Sequence, residues 1–583
     1  MAQETMVTEK SELRFDLQPL REHSPSDAAN HGHGPSPLVR LMRLLQQDRN
    51  DLWIIVLFSL GVGIFSLATP IAVEAIVNTV QGGTQILLQP VIALSLILLM
   101  FLGLAALLRV FQAVVVEYLQ QRIFVRVSLD LANRLPQIRV DALDRQHGPE
   151  LVNRFFDVLT VQKASAVLLL DGLSVVLQTA IGLMVLAFFN PFLLGFDLVL
   201  IGSIAFIIFV MGRGAIGTSI KESYAKYGVA GWLEDMARNP LAFKLAGGRE
   251  YALNRANDLA GTYVMARKAH FKILFRQILF ALILQAVASA ALFGLGGWLV
   301  INRGLTLGQL VAAELILTMV VGSFIKLGKS LESYYDLMAG MDKLGHLIDL
   351  PMEKSSEEEL PESNKPLTVS VRDVNFAYSE NPENPLFEKL NLEILPGERA
   401  ALVGPHGSGK STLIDMFYGT RSPTSGTISL DGFDMRELDP ERMRALVSVV
   451  KGVEIFEGTV ADNIRMGRNI SGAEIQEALK AVCLYDEILR LPEGLQTRLS
   501  PGGSPLSLGQ ARRLMLARAH AVQPRLLLVD EAFDDIHQSI RDKVMDNFFR
   551  PESPWTMIVA THRPDVATRA DRQLEFGPER DQW

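Results

Sequence analysis

The sequence predicts a multidomain chain, an all-α membrane domain of six helices followed by an α/β domain built on a phosphate-binding loop. Three observations carry this expectation. Long apolar runs with few charges fill residues 52–327, and a glycine-rich stretch at 404–411 lies between an apolar strand and an apolar helix. Further on, an apolar strand at 525–529 ends in the adjacent carboxylates Asp530 and Glu531. The expected divisions are a tail over 1–40, the membrane domain over 41–350, a linker over 351–366 and the phosphate-binding domain over 367–583.

Length and composition agree with this division. A chain of 583 residues exceeds one ordinary core. Its 49% hydrophobic content and mean hydropathy of +0.22 are high for a soluble protein, and membrane runs explain both. A net charge of -8 leaves no dense basic face with which to displace counterions from a phosphate backbone, so nucleic acid is excluded as a partner. The single cysteine, Cys483, cannot form an intrachain disulfide and reads as a small buried residue. The first forty residues are polar and broken by Ser, Pro, Gly and His, the composition of an unstructured tail. Within them His31 and His33 offer two imidazoles, too few for a metal site. No cleavable signal peptide is expected, because no apolar segment follows the start closely.

The six expected spans are 52–80, 88–116, 166–189, 192–213, 274–301 and 305–327, each close to or above the length of about 20 residues that crosses a hydrocarbon core. Asn190-Pro191 forms a tight turn between the third and fourth. The segment after the second span carries Arg122, Arg126, Arg134, Arg139, Arg145 and Arg154, and that after the fourth carries Lys221, Lys226, Arg238, Lys244 and Arg249. The loops after the first and third spans carry no Lys or Arg, and the loop after the fifth carries only Arg303. Positive charge stays on the cytosolic side, so both termini are expected there. The two charged segments are far longer than a connection needs, and their turns, at 143–150 and 243–250, are candidate contact elements for another cytosolic part. Among ionisable groups in the spans, Glu314 lies nearest a span centre and is the candidate substrate-facing group, against a structural hydrogen bond to a neighbouring helix. Glu74, Arg109, Asp171 and Asp197 lie nearer span ends, where snorkelling or interfacial pairing is expected.

In the second half, residues 354–365 are rich in Glu, Ser and Pro, as in a linker. Gly404, Pro405, His406, Gly407, Ser408, Gly409, Lys410 and Ser411 then match the phosphate-loop pattern without departure, and Thr412 continues into the helix. Glycines let backbone N–H groups face phosphate oxygens, Lys410 neutralises β/γ charge, and Ser411 supplies an oxygen to Mg²⁺. Of the paired carboxylates, Asp530 suits the metal and Glu531 suits the base that polarises an attacking water.

With these motifs the chain, over about residues 40–577, resembles the ATP-binding-cassette superfamily, specifically exporters that fuse membrane and nucleotide domains. The family's signature segment resembles Leu506-Ser507-Leu508-Gly509-Gln510. Tyr378 is similar to the aromatic that stacks on adenine, His562 to the switch histidine at the γ-phosphate, and residues 304–311 to the entry of the sixth helix. The resemblance implies ATP and Mg²⁺ as cofactors and an integral, multi-pass protein of the bacterial inner membrane. It also implies a dimer of half-transporters, because the phosphate loop of one faces the signature of the other. A homodimer is the simpler form and a heterodimer with a more regular partner the alternative. The substrate class stays open among peptide or protein, lipid and amphipathic compound, although residues 153–171 resemble bacterial peptide exporters. Four departures bear on mechanism. Lys451 stands where the family has a metal-contacting glutamine, which would place its ammonium near Mg²⁺ and the γ-phosphate. His537 replaces an aspartate, Leu508 a signature glycine, and residues 498–503 an acidic stretch. A competing function is an ATP-gated regulator or channel with little turnover.

Overall fold

The computed structural model describes residues 35–82, 88–143, 154–354, 356, 358–361, 363–378 and 383–576. His31, His33 and the turn at 144–150 lie outside these. The chain divides into two units, Met1–Gln137 with Arg145–Pro351, and Ile138–Asp144 with Met352–Trp583.

The helices of the first unit are α1 (Pro37–Gln46), α2 (Arg49–Ser66), α3 (Ala68–Gly82), α4 (Leu88–Arg134), α5 (Asp157–Val167), α6 (Leu173–Phe189), α7 (Pro191–Ala205), α8 (Ala215–Arg238), α9 (Gly248–Ile301) and α10 (Leu307–Ile348). Helix α1 begins inside the stretch expected to be unstructured, with Pro37 in its first turn, where a missing N–H is harmless. The first span breaks at Leu67 between α2 and α3, because Pro70 donates no hydrogen bond and its ring crowds the Ser66 carbonyl. Among the described residues five helical stretches are long and apolar enough to cross a membrane, and a shorter apolar stretch, Leu307–Val320, opens α10 within the sixth expected span. Asn190 turns the chain as expected, its Oδ1 accepting from the Phe192 N–H at 3.0 Å.

Two short π segments, Leu168–Gly172 and Phe206–Met211, interrupt the spans. Their wider winding leaves carbonyls to be satisfied by side chains, which apolar surroundings make obligatory. Gln112 Nε2 donates to Leu169 O at 3.0 Å and Ser59 Oγ at 2.8 Å, and Gln277 Nε2 to Ile207 O at 3.1 Å and the Tyr335 hydroxyl at 3.2 Å. Leu186, Leu193, Ile207, Leu292 and Ile316 form a dry core among α6, α7, α9 and α10.

Outside the apolar segments, charges hold helices together. Arg126 of α4 donates to both carboxylate oxygens of Asp48 at 2.8 and 3.2 Å, and both residues are buried. Lys343 of α10, only 1% exposed, places its ammonium 3.5 Å from the Tyr227 ring centre on α8 and 4.0 Å from Asp157 of α5. Burial draws its pKa down to about 7, against the pull of Asp157.

The strands of the second unit are β1 (Val369–Phe376), β2 (Phe387–Ile394), β3 (Arg399–Val403), β4 (Ser425–Leu430), β5 (Phe433–Asp434), β6 (Val447–Lys451), β7 (Gly458–Thr459), β8 (Arg498–Leu499), β9 (Leu526–Asp530), β10 (Thr556–Thr561) and β11 (Arg572–Glu575). They make an antiparallel sheet in the order β2-β1-β4-β5, a parallel sheet in the order β11-β3-β10-β9-β6, and the ribbon β7-β8. Strands β9 and β10 are buried along their whole length, which is why they read as unbroken apolar runs. Two helices matter for the site, α11 (Lys410–Phe417) and α12 (Leu508–Ala521).

The stretch expected to be a linker is instead strapped to this unit. Both Glu353 oxygens accept from Arg444 at 2.6 Å, Ser356 donates to the Glu437 carbonyl, and Glu358 bridges to Leu438. Since the parallel strands run one way, Val403, Lys451, Asp530 and Thr561 end along one edge of the sheet, the edge at which open α/β sheets bind ligands.

Candidate nucleotide site

At that edge the chain leaves β3 through Gly404, with a φ of +157°, where a Cβ would meet the Phe576 carbonyl at 2.1 Å. Gly409, at a φ of +97°, packs so closely that a Cβ would lie 2.6 Å from the Phe387 ring. Only glycine fits at both ends of the loop. The loop feeds the first turn of α11, whose N–H groups lack helical partners and carry the positive end of the helix dipole. Lys410, 6% exposed, folds over the loop, its Nζ donating to Gly404 O at 2.8 Å, Pro405 O at 2.9 Å and Ser408 Oγ at 3.4 Å. The loop from Gly404 to Gly409 thus curls around a fixed cation, with its non-proline N–H groups available to an anion, the chemistry of a phosphate cradle.

The adjoining oxygens suit Mg²⁺. Ser411 lies close enough to the Asp530 carboxylate to favour its charged form, which sets two hard oxygen ligands side by side. Burial pushes the Asp530 carboxyl above its ordinary range, while Ser411 and Lys451 act against that push. Bound there, Mg²⁺ would neutralise charge on the β- and γ-oxygens.

Glu531 follows β9 at a φ of +55°, unusual for a side chain of its size, and its N–H donates to Ala560 O at 3.0 Å. This turn carries the carboxylate out of the sheet. His562 Nδ1 stands 3.8 Å from Glu531 Oε1 and 3.0 Å from Asp534 Oδ2. Asp534, buried, is held by Thr561 Oγ1 at 2.8 and 3.1 Å, and burial raises its pKa against the help of Thr561 and His562. It orients the imidazole, a role that sequence reading did not assign to it. The only sequence signal was its place three residues after Glu531. The His406 ring lies 5.5 Å from that of His562, so the loop and His562 meet.

Other expected residues are placed with differences. The Tyr378 hydroxyl bonds Thr412 Oγ1 at 2.7 Å, and the Arg421 guanidinium stands 5.1 Å from the Tyr378 ring centre. Ser507 and Gln510 form a capping box on α12, with Gln510 N–H donating to Ser507 Oγ at 3.3 Å and Ser507 N–H to Gln510 Oε1 at 2.7 Å. Gln510 also donates to Glu487. Leu508 is 62% exposed beside Gly509 at the helix start, bulk that a partner would have to meet. His537 pairs locally with Ser539. Lys451 faces Asp530 across the β6–β9 ladder, but its ammonium lies on Asp415 of α11, at 2.8 and 3.0 Å from the two oxygens. Glu314 belongs to α10 in the other unit, and its Oε2 has no hydrogen-bond partner among the described residues.

The ABC transporter family pattern matches residues 387–534, which include the phosphate loop, Asp530 and Glu531. The chain is 28% identical over 474 residues to the mycobactin import ATP-binding/permease protein IrtB of Mycolicibacterium thermoresistibile, covering 77% of this chain and 78% of that protein. The family's pattern thus lies in the nucleotide-binding part of the chain, residues 387–534. The ATP-dependent permease MDL1, mitochondrial, of Schizosaccharomyces pombe is 28% identical over 571 residues, covering 93% of this chain and 77% of that protein. The ABC multidrug transporter mdr4 of Aspergillus fumigatus is 33% identical over 239 residues, and there the chain spans only 18% of the relative's length. A bacterial Atm1-family ABC exporter with ATP bound superposes with a TM-score of 0.78 over 91% of this chain and 93% of that one, at 22% identity, a likeness of fold. This ABC protein is therefore a multi-pass half-transporter with fused membrane and nucleotide-binding parts, an ATP hydrolase coupled to transport, in a family that works as dimers.

Proposed function

We propose that the chain is one half of an ATP-driven exporter that moves its substrate outward across a bacterial inner membrane, with both termini cytosolic. The carrying observation is the meeting, at one sheet edge, of the Lys410 cradle, the Ser411–Asp530 oxygen pair and the Glu531–His562 pair. Lys410 and the loop N–H groups hold the β- and γ-phosphates, Ser411 and Asp530 take Mg²⁺, and Tyr378 and Thr412 border the base. Glu531 accepts the proton of the attacking water as His562, set by Asp534, contacts the γ-phosphate. Ser507, Leu508 and Gly509 would close the site of a second half-transporter, and a homodimer is the simplest assembly. The substrate is a peptide or protein, a lipid or an amphipathic compound, with Glu314 as the polar contact in the membrane interior. IrtB is by its printed name an importer, so direction needs its own measurement.

Inside-out vesicles containing the protein should take up substrate only with ATP, and vesicles with Glu531→Gln should bind ATP without uptake. A panel of lipids and peptides, scored by stimulation of phosphate release, would name the substrate. Equal uptake by wild type and Glu531→Gln would leave a gate opened by binding alone. The pairing of Lys451 with Asp415 favours one further reading, the less regular half of a heterodimer. Co-purification of a second, different half-transporter would establish it.

A further inference from the structure

Lys451 ends the strand opposite Asp530 yet directs its ammonium to Asp415, at 2.8 and 3.0 Å from the two oxygens. Asp415 lies one turn beyond Ser411 on α11, on the same face of that helix. The pair therefore bridges the end of β6 to the helix that carries the phosphate loop. Arg421 approaches the same carboxylate at 3.5 Å. A lysine stem is flexible, and its ammonium moves to the nearest strong acceptor. What stops this one from reaching the phosphates is the carboxylate already in contact with it.

We propose that Asp415 is a positioning residue that holds the Lys451 ammonium beside the phosphate and metal edge and not on it, so that Lys410 remains the only side-chain cation bound to the nucleotide phosphates from this strand edge. The inference rests on reading residues 404–411 as the ATP site. Where relatives offer an amide to the metal, this chain keeps a parked charge, and the link between β6 and α11 is an ion pair that exists before any metal arrives.

The test is ATP affinity without metal, read by fluorescence of trinitrophenyl-ATP in EDTA at low salt on the full-length protein, with turnover in Mg²⁺ measured alongside. Asp415→Asn should tighten metal-free binding about fivefold, the scale of one exposed ion pair, and lower kcat with little change in KM. Adding Lys451→Gln should cancel that gain, because the freed ammonium is its source. A gain that persists in the double variant would assign it to Arg421 and overturn the proposal, as would no gain at all. Should Asp415→Asn fail to fold, Lys451→Gln alone decides: metal-free affinity unchanged supports a parked ammonium, and a weakened affinity shows that Lys451 already touches phosphate. Lys410→Ala serves as control. If wild type itself binds no trinitrophenyl-ATP, the ATP-site reading fails, whereas binding by wild type with any of the contrary outcomes fails this inference alone.

Discussion

Within the most apolar window of the Leu88–Gln137 stretch only 6% is buried inside the protein, whereas every residue of β9 and β10 is buried. The same apolar side chains do different work in the two units. In the first they face lipid, which is as apolar as they are, so contacts between helices must come from small areas of packing and from polar groups. In the second they are removed from water, and burial itself stabilises the sheet. The first unit should therefore depend on a few polar pairs and the second on its site geometry.

The largest expected effect lies in the nucleotide unit. Lys410→Ala should abolish turnover and weaken Mg-ATP binding on the order of a hundredfold, because the cradle loses its fixed cation. Nucleotide titration of the purified protein measures this, and near wild-type affinity would remove the phosphate-loop reading. In the membrane unit the contrast is between a polar pair and a lipid-facing apolar residue. Arg126→Ala leaves Asp48 buried without its main partner and should cost about 3 kcal/mol in detergent unfolding. Leu99→Ala, at a side chain 68% exposed, should cost much less. Equal losses would erase the difference between the units.

A smaller effect should follow pH at Lys343, whose folded pKa of about 7 lies below its ordinary 10.5. Between those values the unfolded chain binds the extra proton, so stability should rise as pH increases from 7 toward 10. Lys343→Met should remove that contribution, making the variant the more stable form near pH 7 and narrowing the difference as pH rises. Unfolding midpoints of the two proteins across this range measure it, and parallel curves would contradict the account.

Contiguous chemistry was legible in the sequence. Residues 404–411, Asp530 and Glu531 each sit in one short segment whose strand or helix context is also local. The membrane spans were legible as apolar length, apart from the break caused by Pro70. What could not be read depends on pairs brought together by folding. Asp415 meets Lys451 across 36 residues and Arg126 meets Asp48 across 78, and neither separation has a period. The π segments are hydrogen-bond registers, which Leu168–Gly172 does not betray in its composition. The segment at 351–366 looked like a linker because Glu and Ser are common in linkers. Its carboxylate instead found Arg444.

The central claim is that this edge of the sheet hydrolyses ATP through Glu531. Phosphate release by the full-length protein in lipid nanodiscs, wild type against Glu531→Gln, tests it most directly. The account predicts steady release by wild type and a loss on the order of a hundredfold or more in the variant, with ATP affinity retained. Undiminished release by Glu531→Gln, or ATP binding without any release by wild type, would contradict it.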